Sequence, residues 1–365
     1  ARAQEVERHC TGVSDLRDRL IAMIRASGPI SVAAYMDLCL HDRRHGYYAT
    51  RPGLGEDFVT APETSQVFGE LIGLWAAHEW QQMGAPARFS LIEIGPGRGT
   101  LMADALRATA GVPGFHAAMD LCFIEASPIL KSHLTERFAT SDIQFLNDLD
   151  AVPTDRPFLL IANEWLDCLP VQQFVKVGAA WHERVIGLDA NDTLQIGLSS
   201  SALPDEISPS GPQTSIEIQP GLKTLMETLQ HLFNTTAGRA LFIDYGPADT
   251  SPEDTLRSYF KGEQIDPLAA PGKSDLTCDV DFRRIGHLAK ALGLRVDGPI
   301  SQSQFLLTLG AEARLNQLAK QHPRQADELY TRVRKLVDPA EMGTRFQALA
   351  IGQSDLSSAT AFPAI

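Results

Sequence analysis

The sequence predicts an α/β fold, a mostly parallel sheet wound by helices, and three observations predict it. Short, largely apolar runs recur through the chain: Phe89-Ser-Leu-Ile-Glu-Ile94, Met119-Asp-Leu-Cys-Phe-Ile124, Pro157-Phe-Leu-Leu-Ile-Ala162 and Arg239-Ala-Leu-Phe-Ile-Asp244. Runs of this length suit strands buried on both faces, which occur in parallel sheets. Segments of helical period follow the first two runs, as right-handed crossovers require. Finally, glycines and carboxylates cluster directly behind the runs, where an open α/β sheet carries its ligand site.

Taken in order, the first section reads helical. Ser14 is a candidate N-cap for Leu16, Leu20, Ile21 and Ile24, and Gly28-Pro29 ends that helix. Ser31 caps a second helix carrying Val32, Tyr35, Met36 and Leu40. Residues 41–57, rich in Gly, Pro and Arg, read as a loop. Thr60-Ala-Pro-Glu63 has the form of a capping box opening a helix over 63–83. Four strands then alternate with helices: 89–94, a helix over 100–110, 119–124, a helix over 128–138, a weak strand at 143–146, and 157–162. Residues 171–218 alternate like hairpins and form a β-rich insertion after the fourth strand. A helix over 222–233 leads to the fifth strand, 239–244. An irregular substrate-side insertion, 247–280, precedes a helix over 282–292, a strand at 294–296, two helical stretches within 304–336 and a last strand at 346–351. The domain reading is an N-terminal helical section or lid over 1–85 and a catalytic domain over 86–365.

Composition narrows the function. With 365 residues, 44% hydrophobic and 21% charged, the chain can bury a core. No apolar stretch approaches bilayer length, so membrane insertion is not expected. A formal net charge of -13 disfavours nucleic acid, whose phosphates need concentrated Lys and Arg, and suits a cationic protein acceptor. The five cysteines are scattered, without a Cys-x-x-Cys pair, and no His-Glu-x-x-His motif occurs, so no metal site is expected. A reducing compartment fits: bacterial cytoplasm, or mitochondrial matrix for a eukaryotic source.

Chemistry concentrates behind the strands. In Gly95-Pro-Gly-Arg-Gly99 the glycines let backbone turn tightly and approach a ligand. A dinucleotide site wants G-x-G-x-x-G; here Thr100 takes the third glycine's place, and Glu93 would repel a pyrophosphate but suit a cofactor's α-amino group. Glu125, ending the second strand, can grip two ribose hydroxyls. Asn147 and Asp148, after the third strand, can meet an adenine edge. Asn163-Glu-Trp-Leu-Asp167 follows the fourth strand and Asp244-Tyr245-Gly246 the fifth, so Asn163, Glu164 and Asp167 are the candidate catalytic set, with Asn163 also a candidate cofactor-binding residue. Tyr48, Phe58, Thr60 and Glu63, with Asp244 and Tyr245, are candidate lid or substrate-side residues.

Seven segments carry a family resemblance: His45-Gly-Tyr-Tyr48; Asp57-Phe-Val-Thr-Ala-Pro-Glu63 with Ser65-Gln-Val-Phe-Gly-Glu70; Glu93-Ile-Gly-Pro-Gly-Arg-Gly-Thr100; Asn163-Glu-Trp-Leu-Asp-Cys-Leu-Pro170; Ile243-Asp-Tyr-Gly246; Asp275-Leu-Thr-Cys-Asp-Val-Asp-Phe282; and Gln302-Ser-Gln-Phe305. Together they resemble the MidA family of class I S-adenosylmethionine-dependent methyltransferases, which includes the mitochondrial complex I assembly methyltransferase and bacterial relatives. The resemblance implies a Rossmann-like seven-stranded sheet, S-adenosylmethionine as cofactor and, for the mitochondrial member, arginine methylation on a complex I subunit. A protein substrate, with a complex I subunit as candidate, is therefore expected, and a homodimer is an open assembly. A narrower likeness joins Asn163-Glu-Trp-Leu to the Ser-Glu-Trp-Met segment of protein arginine methyltransferases that clamp guanidinium between two glutamates. Glu164 matches the first. The second would fall near Gln173, which is not acidic, leaving Asp167 or Glu63 as substitutes. The competing readings are a non-catalytic cofactor-binding assembly factor and a nicotinamide-dependent oxidoreductase.

Overall fold

The computed structural model describes residues 15–50, 59–200, 203–204, 207 and 213–363. Its contacts divide the chain into two units: residues 1–58, 167–222 and 251–279, and residues 59–166, 223–250 and 280–365. The first break between the units falls after residue 58. The helix Gln66–Gln82 belongs with the sheet, and its buried face, Val67, Phe68, Leu71, Ile72 and Trp75, shares one hydrophobic core with it.

The second unit is built on seven strands: β1 Phe89–Ile94, β2 Met119–Ile124, β3 Ile143–Leu146, β4 Phe158–Asn163, β5 Gly238–Tyr245, β6 Arg295–Ser301 and β7 Phe346–Gly352. Their order is β6-β7-β5-β4-β1-β2-β3. β1 to β5 run parallel, and β7 is antiparallel to both β5 and β6. This is the Rossmann-like sheet the sequence predicts. The chain winds outward from β1 in one direction and from β4 in the other, so β1 and β4 flank the topological switch point, where open α/β sheets bind ligands. β1 is buried over its whole length, as expected of a strand covered on both faces. On one face, Leu91, Leu121, Leu159 and Leu241 pack beneath the helices Gln66–Gln82 and Thr100–Thr109. These two helices meet at Gly69 and Gly73, one turn apart. A Cβ at Gly73 would lie 2.6 Å from the Ala105 backbone, so only glycine permits the approach.

Ionic ties are buried in the same unit. The Arg239 guanidinium, 2% exposed, lies 2.8 Å from Glu79 and 3.1 Å from Asp297. Glu70 accepts from both Arg107 and Arg314. Each charge has its partner, which is the condition for burying it.

The first unit joins the helices Asp15–Ser27 and Val32–His41 to the two segments read as insertions. The predicted cap at Ser31 is present, its hydroxyl accepting from Ala34 N–H at 3.0 Å. The predicted hairpins are strands Gln172–Val177, Ala180–Leu188 and Leu194–Leu198, joined by Ser215–Ile218 and by the two-residue strand Ile30–Ser31. The stretch read as irregular, 247–280, contains a three-stranded sheet of Arg257–Phe260, Glu263–Ile265 and Asp275–Thr277. Its strands are too short and polar to announce themselves in the sequence. The Ser14 cap and Phe58 lie outside the described residues. Among the described residues no helix is long and apolar enough to cross a membrane, and no group of three or more His, Cys, Asp or Glu could hold a metal.

Candidate functional site

The turn behind β1 has the conformation its glycines predict. Gly95, Gly97 and Gly99 have φ of 64°, 54° and 72°, a left-handed backbone that other residues enter at a cost. Two of them also face close neighbours. A Cβ on Gly99 would come within 2.7 Å of Leu134 and Phe138, and one on Gly95 would meet the Trp165 ring at 3.0 Å. The helix Thr100–Thr109 starts directly after the turn.

Glu93 sits in β1, two residues before that turn, and is 3% exposed. It pairs with Phe123 of β2 and Ile161 of β4. Asn163, two residues past Ile161, therefore shares its face. The Oε2 of Glu93 and the Oδ1 of Asn163 are both buried and have no hydrogen-bond donor among the described residues. Burial, followed by the nearby charge of Glu125, pushes the Glu93 carboxyl up from its ordinary 4.5 to about 8. Two orphaned acceptors at the switch point call for a ligand group rich in donors, such as an ammonium.

Glu125 follows β2 as predicted. Its Oε1 accepts from the Ser127 amide at 2.8 Å, and desolvation raises its carboxyl above the ordinary value against the pull of the Ser127, Ala126 and Gly97 amides. Behind β3, Asp148 accepts from Ala151 N–H at 3.2 Å and caps a turn of 3₁₀ helix. Asn147 beside it is exposed.

Behind β4 the chain makes a strained turn. Glu164 has φ 49°, the left-handed region, and non-glycine residues held there cluster at functional sites. Its Oε1 accepts from Asn163 Nδ2 at 3.1 Å and from the Ala61 amide at 2.7 Å. Ala61 begins the short helix Ala61–Thr64, whose Thr60 cap makes no side-chain hydrogen bond. The capping box read at Thr60 and Glu63 is therefore not formed. A carboxylate from β4 caps this helix instead, and Glu63 accepts from Thr100 Oγ1 at 2.7 Å, beside the glycine turn. The helix expected over 63–83 is broken at Ser65, whose hydroxyl accepts from Val67 N–H and caps the longer helix.

Asp244 is fully buried and collects backbone amides of Trp165, Leu166 and Tyr245. The carboxylate thus ties the turn behind β4 to the end of β5. Tyr245, half-buried, packs edge-on against Phe346 with the Arg345 guanidinium 5.2 Å from its ring centre.

The remaining candidates belong to the first unit. Tyr48 stacks on His41 and donates to Asp275 at 3.3 Å. Asp167 accepts from Thr277 Oγ1 at 2.6 Å. Gln173, where a second clamp glutamate was sought, is buried and donates to Glu217 at 2.6 Å, and Glu217 also accepts from the Thr255 amide. That position is a strand interior.

Residues 71–300 match the model of a family described as "Putative S-adenosyl-L-methionine-dependent methyltransferase". The chain belongs to this methyltransferase family. Its orphaned acceptors and left-handed glycine turn fit the ammonium-bearing cofactor that the family's description names. Among relatives of this methyltransferase, the human protein arginine methyltransferase NDUFAF7, mitochondrial, is 35% identical over 93% of this chain and 83% of its own. The Drosophila melanogaster homolog is 34% identical over 93% and 85%. A superfamily member from Burkholderia thailandensis, solved bound to S-adenosyl-homocysteine, superposes with TM-score 0.84 at 25% identity, covering 95% of this chain and 94% of that one.

Proposed function

We propose that this methyltransferase modifies an arginine side chain of a protein, with a respiratory complex I subunit as the first acceptor to test. The observation that carries the reading is the Glu164 carboxylate. It follows β4 at the switch point, next to Asn163, and is held in a strained turn. When bound, S-adenosylmethionine supplies an electrophilic methyl group on a sulfonium. Glu93 and Asn163 offer its α-ammonium two acceptor oxygens, the glycine turn admits its backbone-like portion, and Glu125 takes the ribose.

Glu164 is then the group that holds a guanidinium. A carboxylate pairs with guanidinium through two parallel hydrogen bonds, which fixes the plane of the cation and the direction of the nitrogen that attacks. A half-buried anion beside it also stabilises the redistribution of charge as that nitrogen takes the methyl group and gives up its proton. Glu63, on the helix that Glu164 caps, is the candidate second carboxylate. The net charge of -13 draws a basic acceptor toward the protein. Such an enzyme works in a reducing compartment, a bacterial cytoplasm or a mitochondrial matrix.

Incubation with methyl-labelled S-adenosylmethionine and peptides of complex I subunits tests this, with hydrolysis and amino-acid analysis of the product. Label in methylarginine is expected. A protein that binds S-adenosylhomocysteine but labels no arginine, in peptides or in a cell extract, would instead be a cofactor-binding assembly factor.

A further inference from the structure

We infer that Asp244 is a positioning residue: it holds Glu164 in the conformation that aims its carboxylate. The inference rests on the reading of Glu164 as the group that holds the acceptor. Asp244 is 0% exposed, yet it is an acid, and backbone amides donate to both of its oxygens. Its Oδ2 accepts from the amides of Trp165 at 3.0 Å and Leu166 at 2.8 Å, and its Oδ1 from the Tyr245 amide at 2.9 Å. The amide of Glu164 itself donates to the carbonyl of Ile243 at 2.8 Å. Every amide from 164 to 166 is thus tied to two consecutive residues of β5.

That tie fixes Glu164 at φ 49°. A left-handed glutamate has no local reason to stay there, since its Cβ crowds the following carbonyl and its side chain offers no Asn-like local bond. Surrounding structure must impose the conformation. The two hydrogen bonds to Asp244 come from the residues immediately after Glu164, where a relaxing turn would move first. The consequence reaches beyond the turn. Glu164 Oε1 caps the helix Ala61–Thr64 through Ala61, and Glu63 on that helix accepts from Thr100 behind the glycine turn. One buried carboxylate therefore sets both the aim of Glu164 and, through it, the seat of a helix that touches the cofactor loop.

The test is Asp244→Asn, nearly identical in shape, which replaces one acceptor oxygen by an amide facing backbone N–H groups. Exchange of the Ala61 amide with solvent should quicken, because its acceptor is no longer held. Methyl transfer should fall about tenfold or more in kcat, the scale of a misplaced catalytic group. Affinity for S-adenosylhomocysteine should fall by less than kcat does, since the change reaches the cofactor loop only through the turn it holds. In a Glu164→Gln background the same substitution should cost less than about threefold, because residues acting as one unit are not additive. Unchanged exchange at Ala61 overturns the inference, and so does an equal loss of kcat in both backgrounds. If Glu164→Gln alone transfers methyl groups normally while Asp244→Asn still frees the Ala61 amide, the acceptor reading of Glu164 fails and the positioning stands. Should Asp244→Asn not fold, Asp244→Ser, which keeps one short acceptor, is read in the same way.

Discussion

Replacing Glu93 by glutamine should stabilise the unliganded protein at alkaline pH while weakening its hold on the cofactor. The carboxyl is buried and its pKa is raised from 4.5 to about 8, so the folded protein binds this proton more tightly than the unfolded chain does. Its contribution to stability is therefore greatest at low pH. That contribution falls as pH rises from 4.5 toward 8 and levels off above, once both states are ionised. At about 1.4 kcal/mol per pH unit, the loss across that window has a ceiling of about 5 kcal/mol. Glutamine cannot ionise and carries no such slope. Chemical denaturation of the native protein and of Glu93→Gln, followed from pH 5 to pH 8.5, should give a small difference at the acid end. At the alkaline end the glutamine variant should lead by a few kcal/mol. Cofactor binding reverses the ranking. A bound ammonium favours the carboxylate, so native affinity for S-adenosylhomocysteine should improve by about fivefold between pH 7 and pH 8, where a carboxyl titrating at about 8 goes from mostly protonated to half ionised, with proton release. Glu93→Gln should bind more weakly and without that pH dependence. Equal stability at pH 8.5, or equal affinity at pH 8, would refute the assignment of Glu93 as a buried acid kept for an ammonium.

Two further outcomes are expected. Glu125→Ala should weaken S-adenosylhomocysteine binding by about tenfold or more in calorimetry, since a bond to a charged group contributes about 1.5–3 kcal/mol; unchanged affinity in a folded variant would reject the ribose assignment. Gly73→Ala should lower the melting temperature, because its Cβ would overlap the Ala105 backbone at 2.6 Å and the helix pair must part, an overpacking that costs about 1–3 kcal/mol; a melting temperature equal to native would contradict the contact.

The parts of the fold that could be read from the sequence are those whose signal is local. β1, β4 and β5 are largely apolar runs, and Gly95, Gly97 and Gly99 mark the turn behind β1 whatever else surrounds it. Glu93, Glu125 and Glu164 could be placed by counting strands, because a parallel sheet puts successive carboxyl ends on one edge. The missed features depend on partners distant in the chain. Thr60 and Glu63 have the spacing of a capping box, yet a glutamate about a hundred residues on takes the cap. Asp244 ends a strand, and the amides of Trp165 and Leu166 that donate to it lie about eighty residues away in the chain. Gln173 follows the β4 loop closely enough to suggest a clamp position, but its strand turns it toward Glu217. Helix Gln66–Gln82 adjoins the N-terminal helices in sequence, while Gly69 and Gly73 seat it on the helix behind the glycine turn. The strands between 257 and 277 pair with one another through polar, short segments, which carry no period-two pattern long enough to read.

The most direct measurement of the central claim is the single-turnover rate of methyl transfer by Glu164→Gln beside its affinity for S-adenosylhomocysteine. Glutamine keeps the size and one acceptor but deletes the charge, and loss of such a transition-state contact costs about 100-fold or more. A rate reduced by that factor with cofactor affinity near native is the predicted result. A folded Glu164→Gln protein that methylates its acceptor at the native rate would contradict the account and leave Glu164 as the cap of the Ala61–Thr64 helix.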